Sequence, residues 1–153
     1  AVTAYMGDVQ AVLRELTEEV EDPAERFFCY FDYAEGQMRR SNYLGCLAAN
    51  IGLEISESHQ QLRRESQDFI EFKVGTFVSW ISEGAVRRQF RSGVDARRSA
   101  EAILTSMEGG IVTSKISKSP VLLGIAVDVC RNIVRDMLGD QAPIGQDGAV
   151  HGQ

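Results

Sequence analysis

The sequence predicts an all-α protein, an antiparallel bundle of about six helices. Apolar residues recur at intervals of three and four along most of the chain, which is the period of an α-helix. No stretch shows the alternation of apolar and polar residues that is typical of a half-buried strand. Candidate caps, turn residues and prolines separate the periodic stretches. Together these observations indicate helices joined by short loops.

Composition indicates one globular domain. Of the 153 residues, 44% are hydrophobic and 25% are charged, and the formal net charge is −6. Such a chain is long enough to bury a sizeable core. No apolar run approaches the ~18 residues of a membrane span, and the first residues do not resemble a signal peptide. We therefore expect a cytoplasmic protein without a membrane partner, and the acidic balance disfavours nucleic-acid binding by this chain itself.

Cysteine and histidine usage predicts neither a disulfide framework nor a metal site. Cys29, Cys46 and Cys130 are an odd number of cysteines without CxxC spacing, which fits a reducing compartment. His59 and His151 have no carboxylate or cysteine at ligand spacing. We therefore expect no metal and no cofactor. Because neither histidine is placed to activate a cysteine nucleophile, we also expect no enzyme activity and no catalytic residue.

The first two predicted helices meet at a proline. Apolar residues from Val2 to Val20 step by three and four, and Asp22-Pro23 then ends this helix and starts another. Proline is tolerated there because the first turn of a helix has no use for its missing N–H. The second helix runs to about Arg40, before a break at Ser41-Asn42, and carries an aromatic stripe: Phe27, Phe28, Tyr30 and Phe31.

Two further helices are expected in the middle of the chain. The first, from Leu44 to about Ile55, is almost uncharged, which predicts burial on most sides. The second, from about Ser58 to Glu83, ends at a break between Gly84 and Gly93 and is rich in large rings: Phe69, Phe72, Phe77 and Trp80.

The last two helices each have two apolar faces. Asp95 is a good N-cap for a helix from Ala96 to about Ser117, and Ser119-Pro120 starts a final helix that ends near Leu138-Gly139. Adjacent antiparallel helices with spare apolar faces predict a four-helix bundle across a two-fold axis. Burial of both faces within one chain is the alternative. The expected dimer interface comprises Thr105, Gly109, Val112, Ile116, Leu123, Val127, Cys130 and Val134. Residues 1–139 then form the domain, and residues 140–153 are expected to form a flexible tail.

Three stretches of the chain, taken in order, form a recognisable pattern: Gly45–Glu54 (GCLAANIGLE), Phe77–Gly84 (FVSWISEG) with Arg88-Gln89-Phe90, and Met107–Ile111 (MEGGI) with Lys115–Pro120 (KISKSP). Together these stretches resemble the regulatory domain of the TetR family of bacterial transcriptional regulators. The resemblance covers about Val2 to Leu138 and rests on the order and spacing of these stretches. The family's N-terminal helix-turn-helix module has no counterpart here. We therefore expect DNA contact only through an N-terminal domain absent from this sequence.

The resemblance implies a homodimer that binds a small hydrophobic or electrophilic effector among its core helices. Effector binding would change the separation of the two DNA readers and release DNA, as in a repressor. The alternative is a helical dimeric adaptor without a ligand, which should have a solid core instead of a pocket of ~300–1,000 Å³. The expected ligand-site residues are Phe27, Tyr30, Phe31, Cys46, Asn50, Phe69, Phe72, Trp80, Met107 and Lys115.

Cys46 has two interpretations at this point. A small buried thiol is commonly core packing. Some members of the TetR family, however, detect electrophiles or oxidants through a cysteine in this Gly-Cys-Leu stretch, and Lys115 could supply the positive charge that favours a thiolate. Charged residues recur at intervals of seven along the same predicted helix, at Glu101, Glu108 and Lys115. They form either a solvent-exposed line between its two apolar faces or the rim of a pocket.

Overall fold

The computed structural model describes residues 2–42, 45–46, 49–50 and 59–139. These residues form helices and connecting turns without a strand, which confirms the predicted all-α class. The predicted helix from Leu44 to Ile55 lies mostly outside the described residues, as does the predicted tail, 140–153. None of the described helices is long and apolar enough to cross a membrane. In chain order, the helices are α1 (Val2–Glu19), α2 (Pro23–Arg40), α3 (Gln60–Val86), α4 (Ala96–Ser117) and α5 (Val121–Leu138).

The helix ends follow the sequence signals closely. Asp22 caps α2 by accepting a hydrogen bond from the Glu25 backbone N–H at 3.0 Å, and Asp95 caps α4 by accepting one from Arg98 at 3.0 Å. Each cap satisfies a backbone donor that the first helical turn leaves free. The glycine at 139, with φ of 70°, follows the last residue of α5. The predicted bounds of α4 are confirmed.

The end of α3 differs from the prediction because Gly84 lies inside the helix. A Cβ at position 84 would lie 2.3 Å from the Phe90 ring, so the ring occupies the space that a side chain would need. The helix continues to Val86, and the chain then turns with Arg88 in the left-handed region at φ 57°. Glycine therefore serves here as a packing residue and not as a helix stop.

The centre of the core is aromatic. Trp80 on α3 is fully buried, and its indole packs edge-on against Phe27 of α2 with ring centroids 5.1 Å apart. The Trp80 Nε1–H donates a hydrogen bond to Thr17 Oγ1 of α1 at 2.8 Å. A buried indole N–H needs such a partner. This contact set joins the first three helices.

At the close approach of α4 and α5, a glycine faces an alanine. A Cβ at Gly110 would lie 2.4 Å from the Cβ of Ala126 and 3.3 Å from the backbone of Leu123. No side chain fits between the helices at this point. The neighbouring Gly109 faces open space instead.

The orientation of α5 corrects one of the interface predictions. Leu123, Val127, Cys130 and Val134 are buried within the chain's own core, so they present no surface to a partner. The stripe that contains them lies beside a second apolar stripe on the helix, and periodicity does not say which of two adjacent stripes faces inward. The apolar residues that α5 exposes are Val121, Leu122, Ile125 and Val129. On α4, Thr105, Gly109 and Ile116 are exposed and Val112 is half-buried.

Candidate functional site

A cavity of about 80 Å³ lies in the core, with walls from α1, α2, α3, α4 and the segment 45–46. It is smaller than the ~300–1,000 Å³ expected for a drug-sized ligand. Its volume is nevertheless several times what one water molecule needs. The lining residues are Tyr5, Val9, Tyr30, Tyr33, Ala34, Gln37, Met38, Ser41, Gly45, Cys46, Phe69, Lys73, Glu108 and Ile111.

A buried ion pair forms part of the cavity wall. Lys73 of α3 is only 3% exposed, and its Nζ lies 2.6 Å from Oε1 of Glu108 on α4. The same ammonium lies 5.5 Å from the centroid of the Phe69 ring and 5.9 Å from that of Tyr30. Aromatic faces at this distance attract a cation. Lys73 is thus held between two rings and one carboxylate.

The pKa of Lys73 is raised above its ordinary value. Burial by itself lowers the pKa, but the charges that Tyr30, Glu108 and Cys46 carry when ionised, with the hydrogen bond to Glu108, outweigh the effect of burial. At neutral pH, where the Cys46 thiol is uncharged, the hydrogen-bonded carboxylate of Glu108 holds Lys73 as an ammonium.

The carboxylate of Glu108 is satisfied on one side only. Oε1 accepts the hydrogen bond from Lys73, whereas Oε2 is buried and has no hydrogen-bond partner among the described residues. Protein interiors leave few buried oxygens in this state. With less than 1 Å² of accessible surface, this unpaired acceptor is packed in the core and is not exposed to the cavity.

Cys46 lies in the cavity wall, but its thiol is not activated. Burial raises its pKa, and the charge of Glu108 raises it further. Lys73, the Ala49 backbone N–H and the Tyr5 hydroxyl offset only part of this effect. The thiol is thus protonated at neutral pH, contrary to the thiolate expected of a reactive sensor.

Lys115 approaches the segment that carries Cys46, as expected, without acting on the thiol. Its Nζ donates a hydrogen bond to Oδ1 of Asn50 at 2.8 Å. Its Cδ lies 3.0 Å from where a Cβ on Gly45 would be, at a position with φ of 86° that favours glycine. The cation that lowers the pKa of Cys46 is Lys73. Neither Lys115 nor Asn50 lines the cavity.

The predicted ligand-site aromatics divide into two groups. Tyr30 and Phe69 line the cavity together with Cys46. Phe72 lies in a separate groove between α1 and α3, where the Arg14 guanidinium is 5.3 Å from its ring centroid. Four other residues belong to the core and not to the cavity lining, and each is buried: Phe27, Phe31, Trp80 and Met107.

Sequence reasoning missed Lys73, the most informative residue of the site. A signal was present, because Lys73 stands four residues after Phe69 and four before Phe77, on one face of a helix. A lysine inside an aromatic stripe needs a buried partner. Glu108 was noted only as part of a charged line along its helix or of a pocket rim.

Within the described part of the chain, no group of three His, Cys, Asp or Glu side chains could hold a metal ion.

The fold is that of a TetR-type regulatory domain. A TetR family transcriptional regulator from Cytophaga hutchinsonii superposes with a TM-score of 0.74 at 18% identity, over 89% of this chain and 68% of that protein. The regulatory protein TetR from Rhodobacter sphaeroides superposes with a TM-score of 0.75 at 22% identity, over 88% of this chain and 70% of that protein. At these identities the likeness concerns the fold alone.

The family follows from the sequence. Residues 23–129 match the family model described as tetracyclin repressor-like, C-terminal domain, and the chain belongs to this family. The family resemblance stated above is thereby confirmed. A comparison with curated protein sequences gave no match.

Proposed function

We propose that this chain is the effector-sensing and dimerisation domain of a bacterial transcriptional regulator, and that the regulator is a repressor that releases DNA when a small molecule binds in the cavity. Membership of the tetracyclin repressor-like family supports the regulatory role. DNA binding is proposed for a domain outside this chain, since the chain carries a net charge of −6.

The observation that carries this proposal is the Lys73–Glu108 pair at the cavity wall. Taking two charges out of water is costly, and apolar residues of similar volume commonly give equal or higher stability. A core that only had to be filled would not need this pair. Buried, perturbed ionisable groups beside a cavity are instead typical of a binding site.

The location of the cavity suits a sensor. Tyr5 and Val9 belong to α1, while Glu108 and Ile111 belong to α4, so an occupant of the cavity would touch both helices at once. A ligand that binds one arrangement of these helices better than another shifts the population toward it. We propose that the protein uses this shift to control DNA binding.

Dimerisation is proposed through the exposed apolar face of α4 and α5. Ile116 is 78% exposed and Ile125 is 55% exposed. At the helical period, the exposed apolar residues of α5 fall within an arc of about 100°. Clustered apolar exposure marks an interaction surface, and we propose a second copy of this chain as its partner. The residues of α5 in this face are Val121, Leu122, Ile125 and Val129.

The small cavity volume favours the alternative function, a dimeric adaptor without a ligand. A cavity-filling variant distinguishes the two functions. Ala34 is buried in the wall, so Ala34→Met should occupy the space, whereas Ala11→Met changes an exposed position on α1 and serves as the control. We would screen a set of fragments of at most ten heavy atoms by ligand-observed NMR. Sensing predicts fragments that bind the wild type and Ala11→Met but not Ala34→Met. Identical binding profiles for all three proteins would contradict it.

A further inference from the structure

One helix, α4, contributes both to the cavity wall and to the proposed partner face. Glu108 and Ile111 line the cavity. The residues that follow them, Gly109 and Val112, point about 100° further round the helix. Gly109 is exposed and Val112 is half-buried. Because a helix is only about 10 Å wide, an occupant of the cavity would lie one helix away from a partner bound to the exposed face.

The two helices of the α4–α5 hairpin (Ala96–Leu138) are held together by specific contacts. The Leu123 backbone N–H donates a buried hydrogen bond to Ser114 Oγ at 2.8 Å. The close approach of Gly110 to Ala126 leaves no room for a side chain between the helices. A close-packed interior of this kind resists deformation and transmits strain. We therefore expect α4 and α5 to move as one unit.

The α4–α5 hairpin connects the cavity to the apolar surface of the chain. On the core side, Glu108 of α4 pairs with Lys73 of α3 at the cavity wall. On the outer side, the hairpin exposes Ile116 of α4 and Ile125 of α5, which belong to the proposed partner face. Because the hairpin moves as one unit, a displacement of α4 at the cavity would also displace the apolar residues of both helices at this face.

We propose that the α4–α5 hairpin couples the cavity to the partner face, so that filling the cavity changes the affinity of this chain for a second copy of itself. The inference rests on the proposed function and adds a regulation of the oligomeric state to it. Coupling between two binding sites is reciprocal, so monomer and dimer also bind a molecule in the cavity with different affinities. Such couplings commonly change an affinity by about 5- to 150-fold.

Filling the cavity by mutation tests the coupling without an identified ligand. Ala34 is buried in the cavity wall on α2, so Ala34→Met fills the cavity and adds nothing to the exposed face. Analytical ultracentrifugation over a range of concentrations gives the dissociation constant of the dimer. We expect Ala34→Met to change it by about fivefold or more, and Ala11→Met, at an exposed position on α1, to leave it within about twofold of the wild type.

A smaller change in Ala34→Met would overturn the inference, as would an equal change in Ala11→Met. Circular dichroism checks that each variant folds. If Ala34→Met does not fold, Ala34→Val, which fills less of the cavity, is measured against the same fivefold criterion with Ala11→Val as its control.

A second substitution tests whether the hairpin carries the coupling. Ser114→Ala removes the hydroxyl that accepts the hydrogen bond from the Leu123 N–H, between the two helices of the hairpin. The control, Thr76→Ala, removes a hydroxyl that donates to the Phe72 carbonyl oxygen within α3. The effect of Ala34→Met on the dimer dissociation constant should shrink by about threefold or more in the Ser114→Ala background and persist in the Thr76→Ala background. An effect that Ser114→Ala leaves unchanged would overturn the hairpin as the path of the coupling.

The coupling and the sensing function fail in different ways. A dimer that does not respond to Ala34→Met would reject the coupling, whereas fragments that bind the wild type but not Ala34→Met would still support sensing. A wild type that stays monomeric at every concentration would reject both the partner face and the coupling, and it would leave binding in the cavity to be judged by the fragment screen.

Discussion

Lys73 and Glu108 connect α3 to α4 through an ion pair in which the ammonium is almost completely buried and lies between the rings of Phe69 and Tyr30. Each charge is matched by the other, and the aromatic faces add a favourable field around the cation. The stability of this part of the core therefore depends on both residues together.

Removing one partner should cost more than removing both. Glu108→Leu leaves the Lys73 ammonium buried without a counter-charge, and we expect a loss of about 3–5 kcal/mol in the free energy of unfolding. Lys73→Met/Glu108→Leu should lie within about 1 kcal/mol of the wild type or exceed it. Urea denaturation followed by circular dichroism measures all three. A paired variant that is less stable than Glu108→Leu would show that the two charges do not depend on each other.

The adjacent glycines of α4 should respond in opposite directions to alanine. Gly110→Ala places a Cβ 2.4 Å from the Cβ of Ala126, so we expect overpacking that costs about 1–3 kcal/mol. Gly109→Ala meets open space within the chain and should stabilise the helix by about 0.5–1 kcal/mol at protein concentrations too low for the proposed dimer, because Gly109 lies on the exposed face of α4. Thermal and urea unfolding measure both changes. Restoring the space with Gly110→Ala/Ala126→Gly should recover most of the loss, and equal effects at 109 and 110 would contradict the close approach.

Two charge substitutions on α5 separate the partner face from the core. Ile125→Glu lies on the exposed face and should leave the helix content unchanged while it weakens the proposed dimer. An unpaired charge buried in the interface should raise the dissociation constant about 100-fold or more. Val134→Glu, in the core, should unfold the chain. Analytical ultracentrifugation with circular dichroism tests both, and an intact dimer in Ile125→Glu would exclude this face.

The thiols should be alkylated in the order Cys29, Cys46, Cys130. Cys29 is half-buried, whereas the other two are buried. The pKa of each is raised, mainly by burial; for Cys130 it reaches about 12. Because the thiolate is the reactive form, labelling of Cys46 should be slow at pH 7.5 and should accelerate as the pH rises toward its elevated pKa. Iodoacetamide labelling with mass spectrometry measures the order. Fastest labelling of Cys46 at pH 7.5 would restore the reactive-thiol interpretation.

Much of the fold could be predicted from the sequence because its signals are local. The caps at Asp22 and Asp95 depend on a side chain and a backbone donor three residues away, and both are present as expected. The face of α4 that is not packed in the chain's own core could be predicted for a similar reason, since apolar and small residues lie on opposite sides of this helix. The predicted orientation of α5 was wrong. Its apolar surface is so wide that periodicity does not identify the side that faces the core.

The candidate site was predicted only in part because it depends on contacts between distant residues. Cys46, Tyr30 and Phe69 were expected and line the cavity. Lys73 and Glu108 are 35 residues apart in sequence, and nothing local shows that α3 and α4 bring them together. The charge near Cys46 was assigned to Lys115, which bonds to Asn50 instead.

The location of a bound fragment shows whether the cavity is the effector site. Intermolecular nuclear Overhauser effects would be recorded between isotope-labelled protein and the unlabelled fragment that binds tightest in the screen. We expect contacts to the ring protons of Tyr30 and Phe69 and to the methyl group of Met38, all in the cavity wall. Contacts confined to residues outside this wall, such as Phe72 in its separate groove, would contradict the assignment of the cavity as the effector site.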